Sequence, residues 1–291
     1  MTDSLVAGPT VAATPRGGTL SAPLADAWTA AELLRSRRVV ALTGAGLSTD
    51  SGIPDYRGPD SPPRSPMTYD EFASGPAAQQ RYWARSHIGW RRLGQARPNS
   101  GHRAVASLEA AGVLADLITQ NVDGLHQQAG SRSVIDLHGR IDEVICLQCR
   151  VVSGRLDLHQ RLDALNPGFG DTAAVTTAPD GDVDFEDTAG FRLAPCLDCG
   201  GPLKPHVVFF GENVPRERVA DAHDALRRAD AMLVVGSSLM VYSGYRFARM
   251  AHDAGMPLAI LTRGVTRADG LAMLKLDADC VAVLPGAIDS S

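Results

Sequence analysis

The sequence predicts an α/β fold, with a parallel, Rossmann-like dinucleotide-binding sheet and a smaller zinc-binding module. Short apolar runs alternate with helical patterns along most of the 291 residues, which is typical of a parallel sheet covered on both faces. The apolar run Val39–Leu42 leads directly into the turn Gly44-Ala45-Gly46, as at the start of a dinucleotide-binding unit. Two Cys-x-x-Cys pairs interrupt the alternation and predict the metal module.

The composition excludes several classes of protein. Lys and Arg number 28 against 33 Asp and Glu, and the net charge of −5 argues against a nucleic-acid partner. Aromatic residues make up 5%, too few for the stacking platforms of single-strand binders. No stretch approaches the roughly 18–20 apolar residues of a membrane span, so no membrane association is predicted.

The cysteines predict the compartment. Four of the five form two close pairs, and Cys280 stands alone near the last apolar run. An odd count and a first segment without a secretory apolar run argue against a disulfide-stabilised secreted protein. The sequence therefore predicts a cytoplasmic protein.

The first third of the chain is predicted in order. Residues 1–25 are rich in Thr, Ala, Gly and Pro, which predicts a disordered tail. Apolar residues at helical spacing from Trp28 lead to the basic run Arg35–Arg38 and predict a helix that ends there. Five prolines between Pro54 and Pro66 predict a mobile surface loop, and a helix is expected from Tyr69 to Leu93.

The rest of the chain continues the alternation. Asn99 is predicted to cap a helix that ends at Gly112, followed by a strand over Ala115–Thr119. Further strands are predicted at Val207–Phe210, Met232–Val235, Leu258–Leu261 and Val281–Leu284, with helices that begin at Pro215 and Ser243. The predicted domains are a Rossmann-like domain over 26–145 and 200–291, with a helical and loop insertion at about 55–98, and a zinc module over 146–199.

The cysteine pairs Cys146/Cys149 and Cys196/Cys199 have the spacing at which two thiolates bind one tetrahedral Zn²⁺. Four thiolates close the coordination shell, so the predicted zinc, one per chain, is structural. Redox chemistry and ordinary buried cysteines are the alternatives. A zinc ribbon that binds nucleic acid is a third, against which the acidic segment between the pairs counts.

Longer motifs carry a resemblance to a known family. The string GAGLSTDSGIPDYRG at residues 44–58 resembles the signature of the sirtuins, which are NAD-dependent protein-lysine deacylases. Further blocks resemble the same family in the same order, at Thr119–Asp123, His138-Gly139, Lys204–Glu212 and Val235–Ser238. Several of the blocks are similar to the class II branch, which includes the mitochondrial lipoamidase-type sirtuins.

The resemblance implies site residues. His138 would be the general base that deprotonates a ribose hydroxyl, a task for which an imidazole with a pKa near neutrality is suited. Asn121 would be the second catalytic residue. The implied NAD contacts are Gly44, Ala45, Gly46, Asp55, Tyr56, Arg57, Gln120, Asn121, Asp123, Gly236, Ser237, Ser238 and Thr262. The implied substrate contacts are Val208, Phe209, Gly211, Tyr82 and Arg85.

Several of these residues have plainer explanations. His138 alone would be read as a core or surface histidine, and Asn121 and Asp123 as caps of a short helix. Arg85 belongs to an arginine-rich stretch that is either a solvated face or, with Tyr82, a pocket for acidic acyl groups. Thr262 stands where the family usually has Asn, which leaves its ribose contact open.

The predicted function is NAD-dependent deacylation of acyl-lysine in protein substrates, either of acetyl or of longer or acidic acyl groups. The products would be nicotinamide and O-acyl-ADP-ribose. Mono-ADP-ribosylation of proteins and an NAD-binding sensor with weak catalysis are the alternatives. The oligomeric state and the protein targets are not predicted.

Overall fold

The computed structural model describes residues 37–58, 65–171 and 178–287. The predicted tail and nearly all of the helix predicted from Trp28 lie outside these residues, as does part of the proline-rich loop. The strands are β1 (Val39–Thr43), β2 (Leu114–Thr119), β3 (Val134–Asp136), β4 (Gly139–Cys146), β5 (Val152–Gly154), β6 (Leu203–Val207), β7 (Ala231–Val235), β8 (Leu258–Leu261) and β9 (Leu274–Leu276).

The larger sheet has six strands in the order β3-β2-β1-β7-β8-β9, and every pairing in it is parallel. The chain builds one half of the sheet outward from β1 and then returns to build the other half from β7. The strand order therefore reverses between β1 and β7. In open α/β sheets, ligands bind in the crevice at the carboxyl ends of the strands at such a point.

Helices cover both faces of this sheet. They are α1 (Tyr69–Ala73), α2 (Pro76–Leu93), α3 (Ser100–Ala110), α4 (Leu125–Ala129), α5 (Arg155–Leu165), α6 (Arg216–Arg228), α7 (Tyr242–Asp253) and α8 (Cys280–Val283). Val39 and Ala41 pack into one apolar core and Val40 and Leu42 into another, on the opposite face. Because both faces of β1 are buried, its sequence is a continuous apolar run, which is what predicted it.

Local sequence explains several helix ends. Asn99 caps α3 as predicted, because its side chain accepts a hydrogen bond from the backbone N–H of His102 and the His102 side chain accepts from the Asn99 N–H. Pro215 precedes the first turn of α6, again as predicted. No helix in the described segments is both long enough and apolar enough to span a membrane.

The smaller sheet is antiparallel, in the order β5-β4-β6. Cys146 ends β4, and the other three paired cysteines lie in the turns and loops beside the strands. A third apolar core joins the smaller sheet to α2 and α5. Trp83 of α2 lies in this core and donates an indole hydrogen bond to the carbonyl of Leu203, at 2.9 Å. The sheet spans 139–207, and the boundaries 146–199 predicted for the module stay a proposal.

Two strand predictions are wrong. The run Val207–Phe210 was expected in the parallel sheet, but β6 ends at Val207 and pairs with β4 in the small antiparallel sheet. The run Val281–Leu284 lies in α8 and just beyond it, where Asp279 accepts a hydrogen bond from the Val281 N–H as the N-cap. The last strand is β9, which has Lys275 at its centre and so lacks the apolar run of a buried strand.

The helix predicted over Tyr69–Leu93 is two helices. α1 ends at Ala73, and α2 begins at Pro76 after Gly75, whose φ of +144° is a conformation that other residues rarely adopt. Proline suits the first turn of a helix because its missing N–H would have no partner there. The Gly75-Pro76 pair therefore ends one helix and starts the next.

A buried histidine beneath the larger sheet generates a prediction. His126 is 1% exposed and its Nε2 lies 2.9 Å from Thr43 Oγ1, while its Nδ1 has no hydrogen-bond partner. Burial, with a smaller contribution from His102, lowers the pKa of His126 from 6.5 to about 3. Below pH 6.5 the unfolded chain therefore binds a proton that the folded chain does not, and stability falls as the pH falls.

We expect the wild type to lose about 2 kcal/mol more unfolding free energy than His126→Gln between pH 6.5 and 5. Glutamine keeps an N–H donor for Thr43 but does not titrate. The free energies come from urea unfolding followed by circular dichroism at each pH. Equal losses in the two proteins would contradict the assignment of a neutral, buried His126.

Candidate functional site

Two glycine loops meet at the carboxyl ends of β1 and β7. The Gly46 N–H donates to the Gly236 carbonyl at 2.8 Å, so the loops pack backbone against backbone. A Cβ on Gly44 would lie 2.7 Å from Ser237 Cβ, and one on Gly46 would lie 2.9 Å from the Gly236 oxygen. Gly236 has φ of +61°, in the left-handed region. These loops therefore require glycine, which explains the motif that predicted them.

A cavity of about 680 Å³ opens beside these loops and extends to the small module. Most of the predicted site residues line it. They are Gly44, Ala45, Gly46, Asp55, Tyr56, Arg57, Tyr82, Gln120, Asn121, His138, Val208, Phe209, Gly211, Gly236, Ser237, Ser238 and Thr262. Asp123 and Arg85 are not among the lining residues. Segments more than 200 residues apart in the chain, such as Gly44 and Thr262, thus share one cavity wall.

His138 has a defined tautomer. It lies between β3 and β4, and its Nδ1 is 2.9 Å from the carbonyl oxygen of Gln120. A carbonyl can only accept, so Nδ1 carries the proton and Nε2 has the free lone pair. Nε2 lies 2.7 Å from the hydroxyl of Ser243, which donates to it. The nitrogen on the cavity side is therefore the one able to take up a proton.

Burial sets the charge of His138. Desolvation lowers its pKa from 6.5 to about 4, against the opposing effect of the hydrogen bond to Gln120. The ring is neutral at pH 7, which is the form that accepts a proton. The pKa is lower than the near-neutral value expected from the sequence, because the sequence does not show how completely this ring is removed from water.

Asn121 and Asp123 meet at Ser48. Asn121 Nδ2 lies 3.1 Å from Ser48 Oγ and 3.1 Å from the Gly44 carbonyl. Ser48 in turn donates to Asp123 at 2.7 Å, and Asp123 also accepts from the Leu125 N–H at 3.0 Å. Burial raises the pKa of Asp123. Asp123 thus fixes Ser48 behind the cavity wall and accepts the first backbone N–H of α4, while Asn121 lies at the wall.

Gln120 links the ends of β2 and β7. Its Nε2 donates to Ser237 Oγ at 2.7 Å, across the glycine loop that follows β1. A Cβ on Gly244 would lie 2.3 Å from Gln120 Oε1, so glycine at this position of α7 makes room for the amide. Gln120 also supplies the carbonyl that orients His138. The helix-capping explanation of this block does not account for these contacts.

The loop after the first glycine turn carries Asp55, Tyr56 and Arg57 to the cavity wall. The rings of Tyr56 and Phe210 meet edge to face at 5.6 Å. Burial and the neighbouring Asp180, which accepts a hydrogen bond from the tyrosine hydroxyl, raise the pKa of Tyr56 well above its usual value. Asp180, from the segment between the cysteine pairs, thus positions the loop that carries Tyr56.

The segment after β6 lines the opposite side of the cavity. The Val208 N–H donates to the His138 carbonyl at 2.8 Å, which joins this segment to the histidine. Gly211 has φ of +81°. That left-handed conformation, which other residues rarely adopt, explains a glycine that a plain core strand would not.

Arg85 is placed differently from the prediction. Its guanidinium lies 2.7 Å from Asp182 and its Nε donates to the Val183 carbonyl at 2.5 Å. Tyr82 lines the cavity but is packed among Phe72, Trp83 and Phe209. The arginine is therefore held by the segment between the cysteine pairs and does not offer its charge to the cavity.

Sequence reasoning missed four residues of the site. Ser243 was predicted only as the start of a helix, and Ser48 passed unnoticed within the first block. Asp180 and Asp182 line the cavity, although the sequence around them has no periodicity. Burial raises the pKa of Asp182 to about 7. Only the block similarity around the sequence VYSGYRF could have pointed to Ser243.

The four paired cysteines form one cluster, whose sulfur atoms all lie within 4.8 Å of one another. The Cys146–Cys199 and Cys149–Cys196 sulfurs are 3.5 and 3.7 Å apart. A tetrahedral zinc with Zn–S bonds of about 2.3 Å needs sulfur separations of about 3.8 Å. Desolvation opposes ionisation of Cys146, but N–H groups of Cys149 and Gln148 outweigh it and lower its pKa to about 6. The donor set fits zinc.

These features define a class of protein. The glycine loops lie at a topological switch point of the sheet, and a neutral histidine and amide side chains line one cavity beside them. Together with the separate four-cysteine module, this arrangement is typical of a dinucleotide-dependent α/β enzyme.

The chain belongs to the Sir2 family, whose sequence profile matches residues 44–243. It is 54% identical over 256 residues to NAD-dependent protein deacetylase 1 of Mycobacterium avium (strain 104), which covers 87% of this chain and 91% of that protein. It is 52% identical over 266 residues to NAD-dependent protein deacetylase 1 of Streptomyces coelicolor (strain ATCC BAA-471 / A3(2) / M145), covering 90% and 87% of the two chains.

Solved structures agree with this assignment. A structure described as Sir2 with a p53 peptide and NAD⁺ is similar with a TM-score of 0.71 and 35% identity, over 89% of this chain and 95% of that one. A structure of Sir2 bound to an acetylated peptide has a TM-score of 0.70 and 31% identity, over 90% and 97%. The predicted family and α/β fold are confirmed. The resemblance to the class II branch stays a prediction.

The packing of the glycine loops generates a prediction for NAD binding. Gly44→Ala places a methyl group against Ser237 and the Gly236 carbonyl, so the two loops must separate. We expect the KM for NAD to rise at least tenfold. Gly270→Ala is the matched control, since a Cβ there meets nothing within 4 Å. Equal KM values in the two variants, from steady-state assays, would contradict this role of the loops.

The cysteine cluster generates a prediction for metal content. Cys199→Ser removes one thiolate from the tetrahedral set, so we expect less than one tightly held zinc per chain and a lower unfolding temperature. Cys280→Ser is the control, because Cys280 is buried away from the cluster and donates instead toward the Gly46 carbonyl. Zinc is measured by elemental analysis after dialysis. Full zinc content and unchanged unfolding in Cys199→Ser would exclude a structural zinc.

Proposed function

We propose that the protein is an NAD-dependent protein-lysine deacetylase. The observation that carries the proposal is the position of His138. Its unprotonated Nε2 accepts a hydrogen bond from Ser243, and both residues line a cavity that is also lined by the glycine loops and the Val208–Gly211 segment. A mere NAD-binding sensor has no need of such a base. The deacetylases of M. avium and S. coelicolor, to which the chain is similar over most of its length, support the same function.

The residues present fit NAD. The loops at Gly44–Gly46 and Gly236–Ser238 lie at carboxyl ends of parallel strands, and their missing side chains allow a phosphate to approach the backbone. Asp55, Tyr56, Arg57 and Thr262 line the same cavity. When bound, NAD supplies an ADP-ribosyl group that accepts the acyl group, with nicotinamide as the leaving group.

Each side chain at the cavity has a separate role in the proposed reaction. His138 Nε2 takes a proton from a ribose hydroxyl, and the Gln120 carbonyl holds the ring in the tautomer that can do so. Asn121, oriented by Ser48 and the Gly44 carbonyl, binds the reacting end of the cofactor. Asp123 acts indirectly, by fixing Ser48. Tyr56, packed on Phe210, excludes water from the reacting atoms.

Acetyl-lysine in an exposed protein segment is the proposed substrate, and O-acetyl-ADP-ribose the proposed product. Val208, Phe209 and Gly211 line the part of the cavity where a peptide would lie as an added strand. The neighbouring carboxylates of Asp180 and Asp182 also line the cavity, and Arg85 forms an ion pair with Asp182. An uncharged acyl group suits this wall better than an acidic one, because an acidic group would add a third carboxylate.

A cytoplasmic location is part of the proposal. Four thiols that bind a metal must stay reduced, and reducing conditions are found in the cytoplasm rather than outside the cell.

The experiment that tests the proposal measures nicotinamide release from NAD by liquid chromatography. It compares an acetyl-lysine peptide, the same peptide with free lysine, and no peptide. We expect release only with the acetyl peptide, in equal amounts with deacetylated peptide. Release without acetyl peptide, together with ADP-ribose attached to protein, would support the transferase alternative and overturn the proposal. Succinyl and glutaryl versions of the peptide test the acyl preference.

The role of His138 generates a separate prediction. We expect His138→Ala to lower kcat for deacetylation by about 10²–10⁴-fold, since that is the usual contribution of a general base. NAD should still bind, because the glycine loops are untouched. Binding is measured by isothermal titration calorimetry. A variant that keeps more than a tenth of the wild-type kcat would show that another group accepts the proton.

A further inference from the structure

A second group of metal-ligating side chains lies outside the cysteine cluster in the described part of the chain. His87 belongs to α2, and His159 and Asp163 lie one turn apart on α5. One ligand atom of each lies within 4.8 Å of the others. The three residues join the helix that carries Tyr82 to the helix of the small module. None of them lines the cavity or belongs to the proposed reaction.

The three side chains are close enough to bind one ion. His87 Nε2 lies 3.2 Å from Asp163 Oδ1, and His159 Nε2 lies 3.4 Å from Asp163 Oδ2. The two imidazole rings are 4.5 Å apart between centroids. Ligands of a tetrahedral ion with bonds of about 2.0–2.1 Å are about 3.3 Å apart. The two histidines contact different oxygens of Asp163, and each contact is about as long as one edge of a zinc coordination tetrahedron.

The lack of hydrogen bonds to the His87 ring also favours a metal site. This side chain is 0% exposed, yet neither of its ring nitrogens has a hydrogen-bond partner. Buried polar atoms nearly always have one, because leaving them without one costs about 1–3 kcal/mol. Nε2 and the Asp163 oxygen are close without being aligned as donor and acceptor. A metal ion bound by both residues would give His87 the partner that it lacks.

Exposure allows an ion to reach the group. The Asp163 side chain is 48% exposed and that of His159 is 13% exposed, while His87 forms the buried end. An ion would therefore sit at the boundary between protein and solvent, with room for water on the outer side. Two neutral imidazoles and a carboxylate, with one open position, are a donor set that Zn²⁺ accepts.

Two cations flank the group and limit its affinity. Arg91 lies 3.7 Å from Asp163 but is closer to Asp171, at 2.5 Å, so it need not compete for the ligand oxygen. Arg155, one turn before His159, is 0% exposed and stacks on Trp83, with its guanidinium carbon 4.5 Å from the ring centroid. Their charges oppose a divalent ion, so the group binds more weakly than four thiolates do.

We propose that His87, His159 and Asp163 form a second Zn²⁺ site, in which two imidazoles and one carboxylate bind the ion and water completes the shell. The bound ion ties α2 to α5 and so fixes the cavity-lining helix against the small module. It exchanges more readily than the cysteine-bound zinc. This proposal does not depend on the deacetylase reaction.

The test is a calorimetric titration with Zn²⁺ of the full protein, dialysed without chelator so that the cysteine-bound zinc stays in place. We expect one further equivalent to bind and to raise the unfolding temperature. Asp163→Asn and His159→Gln should each weaken this binding at least tenfold, with unchanged circular dichroism. Asp171→Asn is the matched control, since Asp171 also pairs with Arg91 but lies outside the group, and should bind the further equivalent as the wild type does.

Three results would overturn the proposal. The first is a wild type that takes up no further zinc. The second is undiminished uptake in both Asp163→Asn and His159→Gln. The third is an equal loss in Asp171→Asn, which would mean that surface carboxylates in general attract the ion. Nicotinamide release from the acetyl peptide by Asp163→Asn should stay at the wild-type rate, which separates this site from the catalytic one.

Discussion

The reversal of strand order between β1 and β7 is the constraint on which the site depends. Because these parallel strands end side by side, the loops that follow them share the space above the sheet, and Gly44, Gly46 and Gly236 pack with no room for a side chain. The ends of β2 and β8 then bring Gln120 and Thr262 to the same edge. Residues distant in the chain thus form one cavity because parallel strands deliver their carboxyl ends to one place.

The second constraint is the crossing from the large sheet to the small one. Leu137 is buried in the core of the large sheet, and Gly139 begins β4 of the small sheet, so His138 stands at the crossing itself. Gly139 has φ of +81°, and a Cβ there would lie 2.0 Å from the His206 carbonyl. The chain can turn at this point only with glycine. The turn places one nitrogen of His138 against the Gln120 carbonyl and the other against the Ser243 hydroxyl at the cavity wall.

The sequence predicted what depends on local pattern. β1 as far as Leu42, β7 and β8 are continuous apolar runs, and β2 is apolar except for Asp116 and Thr119. The cysteine spacing and the glycine turns have direct geometric meanings. The predictions from sequence failed where tertiary contacts decide the local structure. α8 was read as a strand because a short apolar run does not distinguish the two, and β9 was missed because Lys275 interrupts it. The pairing of Arg85 with Asp182 joins residues 97 positions apart, and no local signal reports it.

The position of His138 makes it a neutral base whose Nε2 accepts a hydrogen bond from Ser243 at the cavity wall. The most direct measurement is ¹⁵N nuclear magnetic resonance of the His138 ring in protein labelled at histidine, followed from pH 8 to pH 4. We expect a proton on Nδ1 and none on Nε2 at pH 7, with protonation of the ring only well below pH 6.5. A proton on Nε2 at pH 7, or a ring that is already charged there, would contradict it.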